Sequence, residues 1–490
     1  MPRGSSVAVR EFVLPTGIVT ATVADGAWSA SGVRYRSGPG ATLTPGAQQE
    51  PAVFPQAPGL LDPLLGPALG ELPVREDAFT LRLQGPADLA PDDLRPDERL
   101  PVLFFVHGGG FTTGGGEVRW YDAPRLVRRG RFLLVTASYR LGAAAGLLGD
   151  GDPVPGGPAW QDLLAALGFV REHVAVFGGD PDRITVAGDS AGAWFAQALS
   201  VAEETRGWLA ATMLVSLPRM APLSPRDDRA RRELWALALG SGRAFLDAQR
   251  EVSQRYDGAG FAFAPAAGDA LPAWLGDPAV VGARMHTGSL LLVTTSGEAS
   301  AFLRHLPEET FTPEWLHAAA RACSDPGAAL AAVGERSGYE AAVALQTWRQ
   351  FESTAHELAA AAAQAGLSTR VLRLDVESPL PRALSPHCFV LPFLFGERVS
   401  WADAPMLDGL PDAVFGHARE LLQREATALV TGRAEMSAAP DWRGSDWRGS
   451  DWCGPGSGSG RRVLRVTATG FELSDTRPPN VGSVASRKEK

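Results

Sequence analysis

The chain reads as an α/β protein with a mostly parallel central sheet and helices on both faces. Three observations predict this. Short apolar runs bounded by turn residues alternate with stretches of helical periodicity through the first half. One of those runs passes into a helix through the tight turn Gly188-Asp189-Ser190-Ala191-Gly192. The composition, 45% hydrophobic and 21% charged over 490 residues, suits a soluble globular chain.

Val102 to Val106 and Phe132 to Thr136 are β-branched or aromatic runs that read as buried strands. Trp160 to Val174 carries Leu163, Leu164, Leu167 and Val170 at helical spacing. Pro181-Asp182-Arg183 turns the chain into the strand Ile184 to Ala187, and Ala193 to Leu199 follows as a helix. Leu290 to Thr295 and Val371 to Leu374 are further strands. Thr354 to Ala365 is an Ala-rich helix stopped by Gly366, and Phe415 to Val430 is a long late helix. No linker splits the chain into equal halves. Residues 1–475 are therefore expected to form a single domain with insertions, and the polar stretch 476–490 a disordered tail. Arg443-Gly444-Ser445-Asp446-Trp447 is repeated at Arg448 to Trp452; so short a tandem copy reads as a duplicated surface loop.

Charge and cysteine usage narrow the function. The net charge of −9 argues against nucleic acid as a partner. Cys323, Cys388 and Cys453 are far apart and odd in number, which gives neither a disulfide framework nor metal-ligand spacing. No metal or cofactor is expected. Arg10 and Glu11 break any N-terminal apolar stretch, and no apolar run is long enough for a bilayer. A cytoplasmic protein without a membrane span is the expectation.

The chemistry starts at Ser190. A serine at a sharp strand-to-helix turn stands clear of the backbone, and small neighbours let the turn close. This is the nucleophile elbow of the α/β-hydrolase fold. His107-Gly108-Gly109-Gly110-Phe111 follows the first buried strand. Such a glycine loop can aim backbone N–H groups at a developing oxyanion. Gly109, Gly110 and Ala191 are the expected donors; Phe111 and Trp194 flank them as expected pocket lining. His107 precedes Ser190, the wrong chain order for a base, and is expected to order the loop. A serine hydroxyl needs a base, and the base an orienting carboxylate, in the order Ser, acid, His. The histidines after Ser190 are His286, His305, His317, His356, His387 and His417. His356 falls inside the Ala-rich helix.

Several segments resemble the type-B carboxylesterases, the family of cholinesterases and bacterial p-nitrobenzyl esterases. Phe177 to Thr185 leading into Gly188 to Ala193 is similar to that family's elbow region. Glu76-Asp77-Ala78-Phe79 resembles its "EDCL" segment, with Ala78 in place of the cysteine, and Ser138-Tyr139-Arg140-Leu141-Gly142 its "NYRLG" segment. The missing cysteine leaves the family's first disulfide unformed. His387 sits in a run, Ser385 to Gly396, that resembles the family's histidine loop, with Val390 in place of its glutamate. Glu298, after the strand Leu290 to Thr295, holds the position that the family's acid would take; Asp375 and Glu377 are the alternatives. Ser216 falls where the family keeps a supporting serine, although Leu217 departs from the pattern.

The resemblance implies a serine carboxylesterase acting on a small-molecule ester through an acyl-enzyme, with Ser190, His387 and Glu298 as its triad. Two rivals stand beside it. Hormone-sensitive-lipase-like esterases also pair H-G-G-G with G-D-S-A-G. Cholinesterase-like adhesion or scaffold proteins typically lose triad members, whereas this chain keeps three candidates.

Overall fold

The computed structural model describes residues 8–37, 44–91, 94–147, 154–258, 260–323, 325–432, 462–468 and 471–475. The repeated pentapeptide, Cys453 and the stretch 476–490 lie outside them. The strands are β1 (Ala8–Leu14), β2 (Gly17–Ala24), β3 (Ala27–Arg34), β4 (Thr80–Pro86), β5 (Leu100–Val106), β6 (Leu133–Ala137), β7 (Gly179–Asp189), β8 (Leu209–Val215), β9 (Ser289–Thr295), β10 (Ser368–Leu374), β11 (Arg462–Val466) and β12 (Phe471–Asp475). Among the described residues they form one sheet in the order β1-β2-β3-β4-β6-β5-β7-β8-β9-β10-β11-β12. It is parallel from β6 to β11 and antiparallel at both ends.

The central strands are apolar throughout because both of their faces are covered. In β5, Val102, Phe104 and Val106 enter one core, and Leu103 and Phe105 the other. The helices Gly157–His173, Ala191–Leu199 and Ser353–Gln364 cover the first face with Leu163, Leu167, Phe195 and Leu358. The helix Asp412–Thr431 covers the second with Phe415, Ala418, Leu421 and Leu422. The expected strands and helices are all present, with ends moved by a few residues.

Two regions depart from the expected alternation. The first four strands form an antiparallel meander. Asp25 (φ 51°) and Gly26 (φ 73°) close β2 onto β3 with both residues left-handed, the hairpin geometry that Asp-Gly favours. Between β8 and β9 the chain inserts the helices Pro225–Gly240 and Phe245–Arg255, which have a small core of their own around Trp235, Ala248, Val252 and Phe263. Charged residues fill the first half of the helix Pro225–Gly240, and its buried side is narrow: Arg231, Trp235 and Ala238.

Parallel strands all end at one edge. His107 follows β5, Ser190 follows β7, Ser216 follows β8, Glu298 lies beyond β9 and His387 beyond β10. Such an edge is where open α/β sheets hold their ligands.

Candidate active site

Close packing forces the elbow. Val106 O lies 2.0 Å from where a Cβ on Gly192 would sit, so the helix after Ser190 can approach β5 only with glycine there. Ser190 takes φ 55° and ψ −120°, a strained conformation for a residue with a side chain. Its N–H is fixed by Val215 O at 2.9 Å, and the helix Ala191–Leu199 behind it is buried along its whole length.

The glycine loop is held peptide by peptide. Tyr139 Oη donates to His107 O at 2.8 Å, and its ring stacks on the His107 imidazole at 4.4 Å. His107 Nδ1 lies 2.8 Å from Gly108 O. Gly109 O accepts the N–H groups of Thr112 (3.1 Å) and Thr113 (3.0 Å) and the Thr113 hydroxyl (3.1 Å). A trans peptide points its N–H opposite its C=O. Tying down the carbonyls of Gly108 and Gly109 therefore turns the N–H groups of Gly109 and Gly110 the other way. Neither these nor the Ala191 N–H donate to any group among the described residues. Burial holds the His107 pKa down to about 4, so the ring is neutral and serves as a fixed donor to its own loop.

The histidine loop is stitched to the turn after β9. Ser385 O accepts from Thr295 Oγ1 at 2.6 Å and from Gly297 N at 3.1 Å. This brings His387 Nδ1 within 2.6 Å of Glu298 Oε2. The other oxygen, Oε1, accepts from Ser216 Oγ (2.7 Å) and Thr295 N (2.8 Å). Both side chains are buried. Burial alone would lower the His387 pKa; the hydrogen bond and charge of Glu298, with the charge of Asp189, outweigh it and raise the pKa above the ordinary value. Phe302 and Phe351 pack tilted against the imidazole at 5.3 and 5.0 Å. Phe351 belongs to a π-helical turn, Trp348–Glu352, a distortion often found at functional sites.

Ser190, His387, Gly109 and Gly110 line one cavity of about 320 Å³. Leu60, Leu65, Trp120, Phe261, Phe302 and Leu391 make most of its wall apolar. Ser190 Oγ makes no hydrogen bond to His387 among the described residues; such bonds are often long until a substrate is seated.

The alternative acids lie elsewhere. Asp375 is bound to Arg373 at 2.7 Å, and Glu377 is exposed. His356 packs on Trp348. Trp194 does not line the cavity: it is fully buried, its Nε1 donates to Met220 O at 2.9 Å, and its ring meets Phe111 edge-on. Phe111 lines a second cavity, of about 700 Å³, together with Tyr139 and Phe195. Two side chains at the site carry no expectation from the sequence. Asp189, beside the serine, and Cys388, beside the histidine, are joined by a hydrogen bond from Cys388 Sγ to Asp189 Oδ2 at 3.2 Å. Both stood next to candidate residues, but nothing local shows that two positions so far apart in sequence meet.

Among the described residues no cluster of His, Cys, Asp or Glu could hold a metal ion, and no helix is long and apolar enough to cross a membrane. Cys323 and Cys388 are free thiols.

Comparison with known proteins shows the family and the fold. A profile described as the carboxylesterase family matches residues 45–250. A protein of Rhodococcus erythropolis named as a probable N-octanoylanthranilate hydrolase is 30% identical over 405 residues, 79% of this chain and 83% of its own. The para-nitrobenzyl esterase of Bacillus subtilis is 38% identical over 120 residues, 24% of each chain. The phenmedipham hydrolase of Pseudarthrobacter oxydans is 35% identical over 200 residues, 40% of this chain and 38% of its own. A solved structure of a PNB esterase superposes with a TM-score of 0.74 at 22% identity, covering 95% of this chain and 97% of the other. A carboxylesterase of Geobacillus stearothermophilus gives 0.71 at 21%, covering 95% and 98%. The fold is the α/β-hydrolase fold, the chain belongs to the type-B carboxylesterase family, and its activity is the hydrolysis of carboxylic esters.

Proposed function

We propose that Ser190, His387 and Glu298 are the catalytic triad of this esterase. The observation that carries the proposal is the His387 Nδ1–Glu298 Oε2 bond of 2.6 Å beside a serine held at a strained elbow on the same cavity. With Nδ1 protonated and bound to Glu298, Nε2 is the basic nitrogen. It takes the proton of Ser190 Oγ as the hydroxyl attacks the ester carbonyl. The oxyanion that forms is received by the N–H groups of Gly109, Gly110 and Ala191. The imidazolium then protonates the leaving alcohol, and water repeats the sequence on the acyl-enzyme.

The cavity wall favours an apolar acyl or alcohol group of modest size. A relative named for N-octanoylanthranilate supports testing acyl chains of medium length. Residues 1–475 form the catalytic unit in this reading, since the strands from β1 to β12 share one sheet. The free Cys323 and Cys388 support a cytoplasmic location, where thiols stay reduced.

Ser190→Ala tests the reading. It should abolish turnover of p-nitrophenyl esters by several orders of magnitude and block labelling by a fluorophosphonate, with an unchanged melting temperature. Near-wild-type turnover would remove Ser190 from the mechanism. A wild-type chain that takes no label would favour the scaffold reading over any esterase.

A further inference from the structure

The Asp189–Cys388 bond crosses the site at its most sensitive point. Asp189 is covalently next to Ser190, and Cys388 next to His387. The 3.2 Å bond from Cys388 Sγ to Asp189 Oδ2 therefore joins the immediate neighbours of nucleophile and base. Both residues are buried and line the cavity. Cys388 adopts φ 69°, a left-handed backbone that directs the thiol across to the elbow. Asp189 Oδ1 has no hydrogen-bond partner among the described residues, so the thiol is the donor that this carboxylate has.

We propose that Cys388 is a positioning residue: its thiol tethers the histidine loop to the elbow and holds Asp189 ionised, so that Asp189 and Glu298 together stabilise the His387 imidazolium. This rests on the roles of Ser190 and His387 proposed above. The groups facing Asp189 are Cys388 and His387 from the histidine loop, Glu298 from the turn after β9, and Tyr121 from the turn Arg119–Tyr121 after the glycine loop. Burial raises the Asp189 pKa to about 6 and Glu298 adds to the rise, against the opposing pull of His387 and the Cys388 hydrogen bond. The same burial, with Asp189 nearby, drives the Cys388 pKa well above the ordinary thiol value. The sulfur is therefore a protonated donor and not a thiolate nucleophile. With the donor gone, Asp189 takes up its proton at higher pH, and the imidazolium loses one of its two counter-charges.

The test is a double-mutant cycle read as kcat against pH on an activated ester. Cys388→Ala should lower kcat at pH 7 by about tenfold, the scale of one hydrogen bond, and move the acid limb, which follows His387, to lower pH. Cys388→Ser, which keeps a donor, should restore both. In an Asp189→Asn background, Cys388→Ala should leave the limb where it is. An unshifted limb in Cys388→Ala, or the same shift in both backgrounds, would overturn the proposal. If Cys388→Ala fails to fold, Cys388→Ser and Asp189→Asn decide it: the serine variant must keep the wild-type limb and the asparagine variant must move it. Fluorophosphonate labelling of every variant separates this outcome from failure of the triad, which only loss of labelling at Ser190 would indicate.

Discussion

Three donors grip the Glu298 carboxylate, and this defines what its replacement should do. Glu298→Gln keeps the shape but offers His387 an amide, which favours the wrong imidazole tautomer and removes a charge. A loss of about 10⁴-fold in kcat is expected, as for an orienting carboxylate in the trypsin-like triad. Asp375→Asn, which disturbs ion pairs with Arg373 and Arg465, should leave kcat unchanged; assays of both variants, with melts to confirm folding, check the contrast. His387 must be neutral to accept a proton, and its pKa is raised, so activity should fall on acidification from above the ordinary histidine value. In Glu298→Gln that limb should move to lower pH. Asp189 makes a separate prediction about stability. Its folded pKa of about 6 lies above the unfolded value of 3.8, so its charge opposes folding; the cost begins as pH rises past the unfolded value and is complete above the folded one. The size is roughly 3 kcal/mol. Asp189→Asn should thus raise the melting temperature at pH 8 and not at pH 3.5. The meeting of His387 with Glu298 was legible through the resemblance of their segments to the family, although Asp375 and Glu377 stood open beside Glu298. The Asp189–Cys388 contact was not, because it depends on which strand ends lie side by side.

Among the elements, the glycine loop and the elbow are governed by clearance. Gly109 has φ 115°, and an added Cβ would stand 2.1 Å from Thr113 O. Gly110 has φ 59°, and a Cβ there would meet nothing within 4 Å. Gly109→Ala should therefore displace the loop and abolish most activity. Gly110→Ala should cost only the left-handed penalty of about 1–2 kcal/mol and retain far more turnover. Parallel kcat measurements and thermal melts would show the order. Elements with a strong period were legible in the sequence, as in Gly157–His173, where Leu163, Leu167 and Val170 face the sheet. The N-terminal meander was not read, although Asp25-Gly26 carried its turn signal. Its first two strands expose one face and bury the other, a weaker pattern than the solid apolar runs of β5 or β9. The helix Pro225–Gly240 was missed because charged residues mask Trp235 and Ala238.

At the scale of the molecule, the proposed chemistry draws on protein groups alone, so dialysis against a strong chelator should leave ester hydrolysis unchanged. A loss restored by one divalent metal would overturn the mechanism. The fold class was legible because parallel strands buried on both faces leave a signature that few other arrangements share. The sheet order also has a kinetic consequence. Ser190, Ser216, Glu298 and His387 follow the neighbouring rungs β7, β8, β9 and β10, yet long connections, residues 216–288 and 296–367, separate the last three of those rungs in sequence. Parallel pairing of distant segments is intrinsically slow, because each loop must be closed before the pairing stabilises it. Hydrolytic competence should therefore be among the last properties to return after dilution from urea. Far-UV ellipticity, which reports helices that form locally, should recover first. Reactivity of Ser190 towards a fluorophosphonate should lag behind it, and would serve as a clock for closure of the sheet.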